Sequence, residues 1–224
     1  MSIDAPFTAD QIHHLPHVLS APRFATYLQA ENNDRARALK LYRWNMATSA
    51  AFAIPLHLLE ISSRNGVVQG IEAIHGGAWP WTEGFILTLP DPSDRRSFNP
   101  RQVLRRYAQR HQTAGKVVAD INFAFWEQIL LRGQQRIIWD AQFDLCFPGS
   151  PAERASRDRR DELRRKLEQI RRLRNRIAHH EPIFTRNLQD DFQSILKVVE
   201  WRNTTASLWL QSIETVTEWL GKRP

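Results

Sequence analysis

Arg174 and His179 are the two side chains in this sequence whose types and spacing could do chemistry together. They lie in the stretch Leu173-Arg174-Asn175-Arg176-Ile177-Ala178-His179-His180-Glu181-Pro182-Ile183. Histidine is the side chain that titrates near neutrality without help, so it is a natural acceptor for the proton of a ribose 2′-hydroxyl. Arginine brings a permanent charge and a planar fork of donors, which suits a phosphate whose charge grows in a transition state. The pair would suffice for metal-free cleavage of RNA, in which the 2′-oxygen attacks the adjacent phosphorus and leaves a cyclic phosphate. The competing reading is structural: an arginine and a histidine at the end of any basic helix can simply be capped and solvated.

The elements that must position this pair can be read around it. Leu163, Leu167, Ile170, Leu173 and Ile177 step by three or four and form one apolar stripe, so the arginines between Arg154 and Arg176 are displayed on the other faces of one long helix. Ser150-Pro151-Ala152-Glu153 reads as a capping box with proline at the first helical position, and Pro182 as the stop, giving about thirty residues of helix. Five steps along an ideal helix turn through about 140°, so Arg174 and His179 share no face unless the helix unwinds before Pro182 or a second subunit completes the site. The negative end of the helix dipole favours positive charge near the histidines, which suits a general acid at least as well as a base. Which of His179 and His180 faces the site stays open at this point. Asn175 and Glu181 are supporting polar residues, and Arg171, Arg172 and Arg176 are candidate RNA contacts.

The rest of the chain reads as helices of the same kind. Thr8-Ala9-Asp10-Gln11 has capping-box spacing and starts a short helix. Its His13, His14 and His17 invite a metal, but Pro16 disturbs their register and no cysteine or well-spaced carboxylate completes a set, so no metal and no cofactor is expected. Ser20-Ala21-Pro22 reads as the cap of a second helix, and Asn33 and Asp34 as the cap of a third. Pro55 predicts a break, followed by a helix that ends at His75-Gly76-Gly77. Within it Glu60 and Arg64 stand four apart and can pair, while Arg64-Asn65 repeats the dipeptide of the main motif and could support the same site. Residues 78–99 read as a long connecting loop or flap pinned by Trp79 and Trp81. Asn99-Pro100 restarts helix, with Arg101, Arg105, Arg106 and Arg110 as a second basic cluster. The aromatic run Phe123-Ala124-Phe125-Trp126 could stack bases but fits core better. Asn187 to Trp201 and a last helix from Asn203 or Thr204 through Leu220 complete the chain. With no alternating strand pattern, Gly-rich phosphate loop or repeat, the fold class is all-α in a single domain over residues 1–224.

Composition is consistent with a polyanionic partner. Among 224 residues, 31 lysines and arginines exceed 24 acidic residues, giving a net charge of +7, and the excess is concentrated in the long helix. The single Cys146 excludes an internal disulfide and any multi-cysteine metal site. The start Met1-Ser2-Ile3-Asp4-Ala5-Pro6 lacks the basic and apolar regions of a signal peptide, and no apolar run is long enough to span a bilayer. A soluble, cytoplasmic protein without a membrane partner is therefore expected.

Arg174-Asn175-Arg176-Ile177-Ala178-His179 resembles the Arg-x4-6-His signature of HEPN-domain proteins. Four blocks in order, Tyr42-Arg43-Trp44-Asn45, Leu59-Glu60-Ile61-Ser62-Ser63-Arg64-Asn65, Ile121-Asn122-Phe123-Ala124-Phe125-Trp126 and the stretch from Leu173 to Ile183, are similar to the Abi-like (abortive infection) proteins of bacteria. They span roughly residues 40 to 185, with Ala124 standing where the family's block carries glycine. The resemblance implies a HEPN-like helical bundle with extra N-terminal and connecting elements, and a homodimer with the motifs at its interface. It implies metal-independent ribonuclease toxicity in phage defence or a toxin–antitoxin pair, with an antitoxin that is protein or RNA. On that resemblance Arg174 and His179 become catalytic and Asn175 supporting.

Overall fold

The computed structural model describes residues 5–94 and 96–224. Met1 to Asp4, on which the reading of the chain's start largely rests, lie outside them. The described residues form helices and no strand. In order these are α1 (Ala9–Val18), α2 (Ala21–Ala30), α3 (Arg35–Ala51) and α4 (Ala53–His75). A 3-10 turn at Trp79–Trp81 precedes α5 (Glu83–Ile86), α6 (Pro100–Arg110), α7 (Ala114–Asp120) and α8 (Phe123–Ile129). A π-helical turn at Gln135–Trp139 leads into α9 (Asp140–Cys146), and α10 (Ser156–Ala178), α11 (Leu188–Arg202), α12 (Thr204–Ile213) and α13 (Val216–Gly221) follow.

Most starts are written locally. The Thr8 and Gln11 side chains satisfy each other's backbone amides at α1. Asp34, Asn99, Asn122, Asn187 and Asn203 each accept a hydrogen bond from the amide three residues on, removing a donor that the first turn would leave orphaned. Gly76 ends α4 at φ 73°, a conformation open to glycine at little cost.

The centre of the molecule is α4, packed across α11 and α9, with α10 laid against α11, α9 and α8. Leu163, Leu167, Ile170 and Leu173 of α10 are fully buried, each contributing about 2 kcal/mol of apolar transfer. Gly66 and Gly70 let α4 approach its neighbours: a Cβ at Gly66 would stand 3.0 Å from Phe147, and one at Gly70 would stand 3.2 Å from Cys146. Burial pushes the Cys146 thiol up to about 11, so it is an inert core group. Phe125 and Trp126 are buried, with Trp79 edge-on to Trp126, so the aromatic run is core.

Several local expectations are corrected. The capping box at Ser150 does not form; α10 begins at Ser156, is 23 residues long, and its cap residue Ala155 offers no side-chain acceptor. Ser150 accepts from the buried Arg159 guanidinium instead, at 2.9 Å, because that charge needs partners more than a helix start does. Ser20 sits at φ 66° and makes no side-chain cap. The break attributed to Pro55 falls at Phe52, in the turn that proline crowds. The last helix divides at Glu214, which restarts it by accepting the Thr217 amide at 3.0 Å. Residues 78–99 contain a helical turn and α5, and Arg101 holds the segment by donating to the Leu87 and Leu89 carbonyls. Trp79 is buried as expected, whereas Trp81 lies at the surface, its indole N–H donating to the Ala108 carbonyl.

Candidate functional site at the end of the long helix

The end of α10 is set by its own backbone. His179 is the cap residue and His180 stands at φ 55°, in the left-handed region. The His180 amide donates to the Ile177 carbonyl at 3.0 Å and the Glu181 amide to the Arg176 carbonyl at 2.8 Å. This pair of bonds is a Schellman turn, with histidine where glycine or asparagine is usual. The stop therefore comes three residues before Pro182, which then keeps Glu181 out of helical geometry. Arg23 at the start of α2 donates to the His180 carbonyl at 2.6 Å. Beyond the proline the chain is clamped: the buried Ile183 amide donates to Asn45 Oδ1 of α3 at 2.8 Å, and Phe184 packs against Tyr27. Burial raises the Tyr27 phenol above its ordinary range, which keeps it neutral.

Arg174 projects from the exposed side of the same helix, and its Nε meets Glu60 Oε1 of α4 at 3.1 Å. The expected Glu60–Arg64 pair is thus replaced by a contact between helices. Arg64, one turn further along α4, has a buried Nε without a hydrogen-bond partner among the described residues, and Asn65 is exposed. Arg174 and the histidines end on the same stretch of helix, but no hydrogen bond or ion pair among the described residues joins Arg174 to either histidine. The helix does unwind at the histidines, as convergence would require, and both rings are exposed. Asn175 serves α10 through its carbonyl, which accepts from the His179 amide at 2.9 Å.

Each of the candidate RNA-contacting arginines carries a carboxylate. Arg172 pairs with Glu168, and Arg176 lies 3.6 Å from Glu181. Arg171 reaches Glu127 of α8, whose carboxyl burial pushes up while the arginine's hydrogen bond holds it down, leaving it above the usual carboxylate range. Two of the sequence blocks that carry the resemblance thus meet the last one through single polar contacts, Asn45 with Ile183 and Glu60 with Arg174, and just outside the other two Glu127 meets Arg171. Two open cavities, each about 370 Å³, flank His180. One is lined by Tyr27, Tyr42, Asn45, Met46 and Ile177, the other by Ser20, Arg23, Thr26 and Pro182.

Sequence reasoning missed Glu60 as the partner of Arg174, Asn45 as the clamp, and Arg23 as the brace. Nothing local marks Arg23. Asn45 stands on the mostly apolar face of α3, where a buried amide is a signal in itself. At α1 the His13 ring meets those of His14 and His17 edge-on, and His14 meets Asp10 at 3.3 Å. Among the described residues no group of three histidine, cysteine, aspartate or glutamate side chains is placed to hold a metal ion. No described helix is long and apolar enough to cross a membrane.

No protein-family model matches this chain, and neither a curated protein nor a solved structure does. The class that the fold defines is an all-α bundle built on α4, α10 and α11.

Proposed function

We propose that the protein is a metal-independent RNA endonuclease of HEPN type, related to the Abi-like proteins, that acts as a toxin in phage defence or in a toxin–antitoxin pair. The observation that carries this reading is the end of α10. The helix ends at Ala178 with His179 as its cap residue, leaving His179 and His180 exposed about one turn beyond an exposed Arg174. In the proposed reaction the 2′-oxygen of the ribose attacks the neighbouring phosphorus as its proton passes to a histidine. The P–O5′ bond breaks, the 5′-oxygen takes up a proton, and a 2′,3′-cyclic phosphate remains. Arg174 stabilises the charge on the non-bridging oxygens, and His179 serves as base or acid. Arg174 must first exchange Glu60 for phosphate, which a polyanion approaching a protein of net charge +7 would favour. A two-fold homodimer would bring two helix ends together and supply the convergence that one chain lacks. A protein or RNA antitoxin would then act by covering that joint face.

The test is cleavage of RNA by purified protein in EDTA, beside Arg174→Ala and His179→Ala. Wild type should leave cyclic-phosphate ends, and each variant should lose on the order of 100-fold or more in rate. RNA left intact by wild type under all conditions, or cut equally well by both variants, overturns the reading. The Glu60–Arg174 pair favours one alternative, a non-catalytic HEPN-type module that binds RNA or a partner protein through the same helix. Salt-dependent RNA binding without cleavage would select its RNA-binding form.

A further inference from the structure

A cavity lies at the other end of α10. It holds about 860 Å³, within the range of small-molecule sites, and is lined by Arg132, Arg136, Arg157 and Arg160 together with Asp140, Asp158 and Asp161. Helix α10 is 23 residues long, so this cavity is about 33 Å from the histidines along the helix axis.

The charges in this cavity are unevenly satisfied. Asp140 accepts from Gln135 and Ser156, Asp158 meets Arg157 at 3.4 Å, and Asp161 meets Arg160. Arg132 and Arg136, exposed at the rim, make no ion pair and no side-chain hydrogen bond among the described residues. Arg160 is 2% exposed; Asp161 holds its Nη2, while Nε and Nη1 have no hydrogen-bond partner among the described residues. A buried guanidinium with two unpaired nitrogens is costly unless a further anion compensates it. The opening turn of α10 adds to the same need. Ala155 provides no side-chain cap, and the Ser156 and Arg157 amides have no partner among the described residues, so their donors form the open positive end of a long helix dipole.

We infer that this cavity binds a small phosphate-bearing anion, cradled by the first amides of α10 and clamped by Arg132, Arg136 and Arg160. The oxyanion takes the place of the missing N-cap carboxylate and neutralises the surplus guanidinium charge. This site is independent of the nuclease reading and shares no side chain with it.

Calorimetric titration of the full chain with inorganic pyrophosphate and, separately, with ADP tests the inference, at constant ionic strength with chloride as the blank. Saturable binding of at least one of them is expected. Equal affinity would assign an inorganic anion, and tighter ADP binding a nucleotide. The double variant Arg132→Gln/Arg136→Gln should weaken binding at least tenfold. Ala155→Asp should abolish it, because the new carboxylate takes the Arg157 amide and repels the ligand; this variant should also melt at a higher temperature, which separates lost binding from lost folding. Arg172→Gln at the far end should bind as wild type does. No saturable heat with either anion, or unchanged binding by both Ala155→Asp and the double variant, overturns the inference. So does binding confined to long RNA, which would make the cavity a strand contact instead.

Discussion

The two ends of α10 present opposite solutions to the same problem, the unpaired backbone groups of a helix terminus. At the C-terminal end the carbonyls are closed by a Schellman turn, Arg23 braces the His180 carbonyl, and Asn45 clamps the chain at Ile183. At the N-terminal end the cap residue is alanine, two amides are left open, and the basic side chains around them exceed their acidic partners. The arginines follow the same division. Arg171, Arg172, Arg174 and Arg176 each meet a carboxylate, whereas Arg132 and Arg136 beside the N-terminus meet none. In the first half of α10 itself Arg157, Arg159, Arg160 and Arg164 also meet carboxylates, so the surplus positive charge at its start comes from Arg132 and Arg136 beside the helix.

The contrast requires that the open end be held in place by something other than a cap, and Gly149 is that anchor. Its amide donates to the Trp201 carbonyl at 2.9 Å, and a Cβ there would stand 2.3 Å from the Glu200 carbonyl oxygen. Backbone, not a pliable side chain, would have to move. Gly149→Ala should therefore destabilise the fold by about 3 kcal/mol, at the upper end of overpacking effects, and urea unfolding monitored by tryptophan fluorescence measures it. A loss below about 0.5 kcal/mol would mean that the approach to α11 is slack and that the open end is held elsewhere.

At the closed end the corresponding anchor is Asn45. Removing its Oδ1 in Asn45→Ala leaves the buried Ile183 amide without an acceptor, at a cost of about 2 kcal/mol. The same denaturation experiment reads this, and protection of the Ile183 amide from hydrogen exchange should fall with it. If stability is unchanged, a water has replaced the amide and the closed end is less tightly clamped than its geometry implies.

The sequence disclosed these two ends unequally. The apolar stripe from Leu163 to Leu173 is legible because its period is that of a helix, and the caps at Thr8, Asp34 and Asn99 are legible because they act within four residues. The terminus at His179 is legible to within a few residues, because Pro182 acts locally and the helix ends just before it. The start of α10 is not legible, for a different reason. Ser150-Pro151-Ala152-Glu153 has every local feature of a helix start, but Ser150 is claimed by Arg159, nine residues away and buried by the tertiary fold. Local signals lose to the demand of a buried charge for partners. Glu60 and Asn45 were invisible as partners of the motif because their contacts span 114 and 138 residues, and no periodicity encodes a pairing at that separation.

The finest difference between the ends lies in the residue types that terminate them, and His180 tests it with the smallest effect. A non-glycine residue in the left-handed region is held there against its own preference, at a cost on the order of 1 kcal/mol. His180→Gly keeps both Schellman hydrogen bonds, which are made by backbone, and relieves that strain. Glycine also gains entropy in the unfolded chain, so the two terms oppose and the net gain should be about 0.5 kcal/mol, seen as a small rise in denaturation midpoint at constant slope. If the imidazole is retained only as a terminator, His180→Gly should be the more stable protein with every other property intact. If it contributes to the chemistry of the helix end, the variant should be more stable and cut RNA more slowly, since a strained residue persists where function requires its side chain. A loss of stability would show that the ring's packing between the two flanking cavities outweighs its backbone strain, and that the C-terminal end is closed by side chain as much as by main chain.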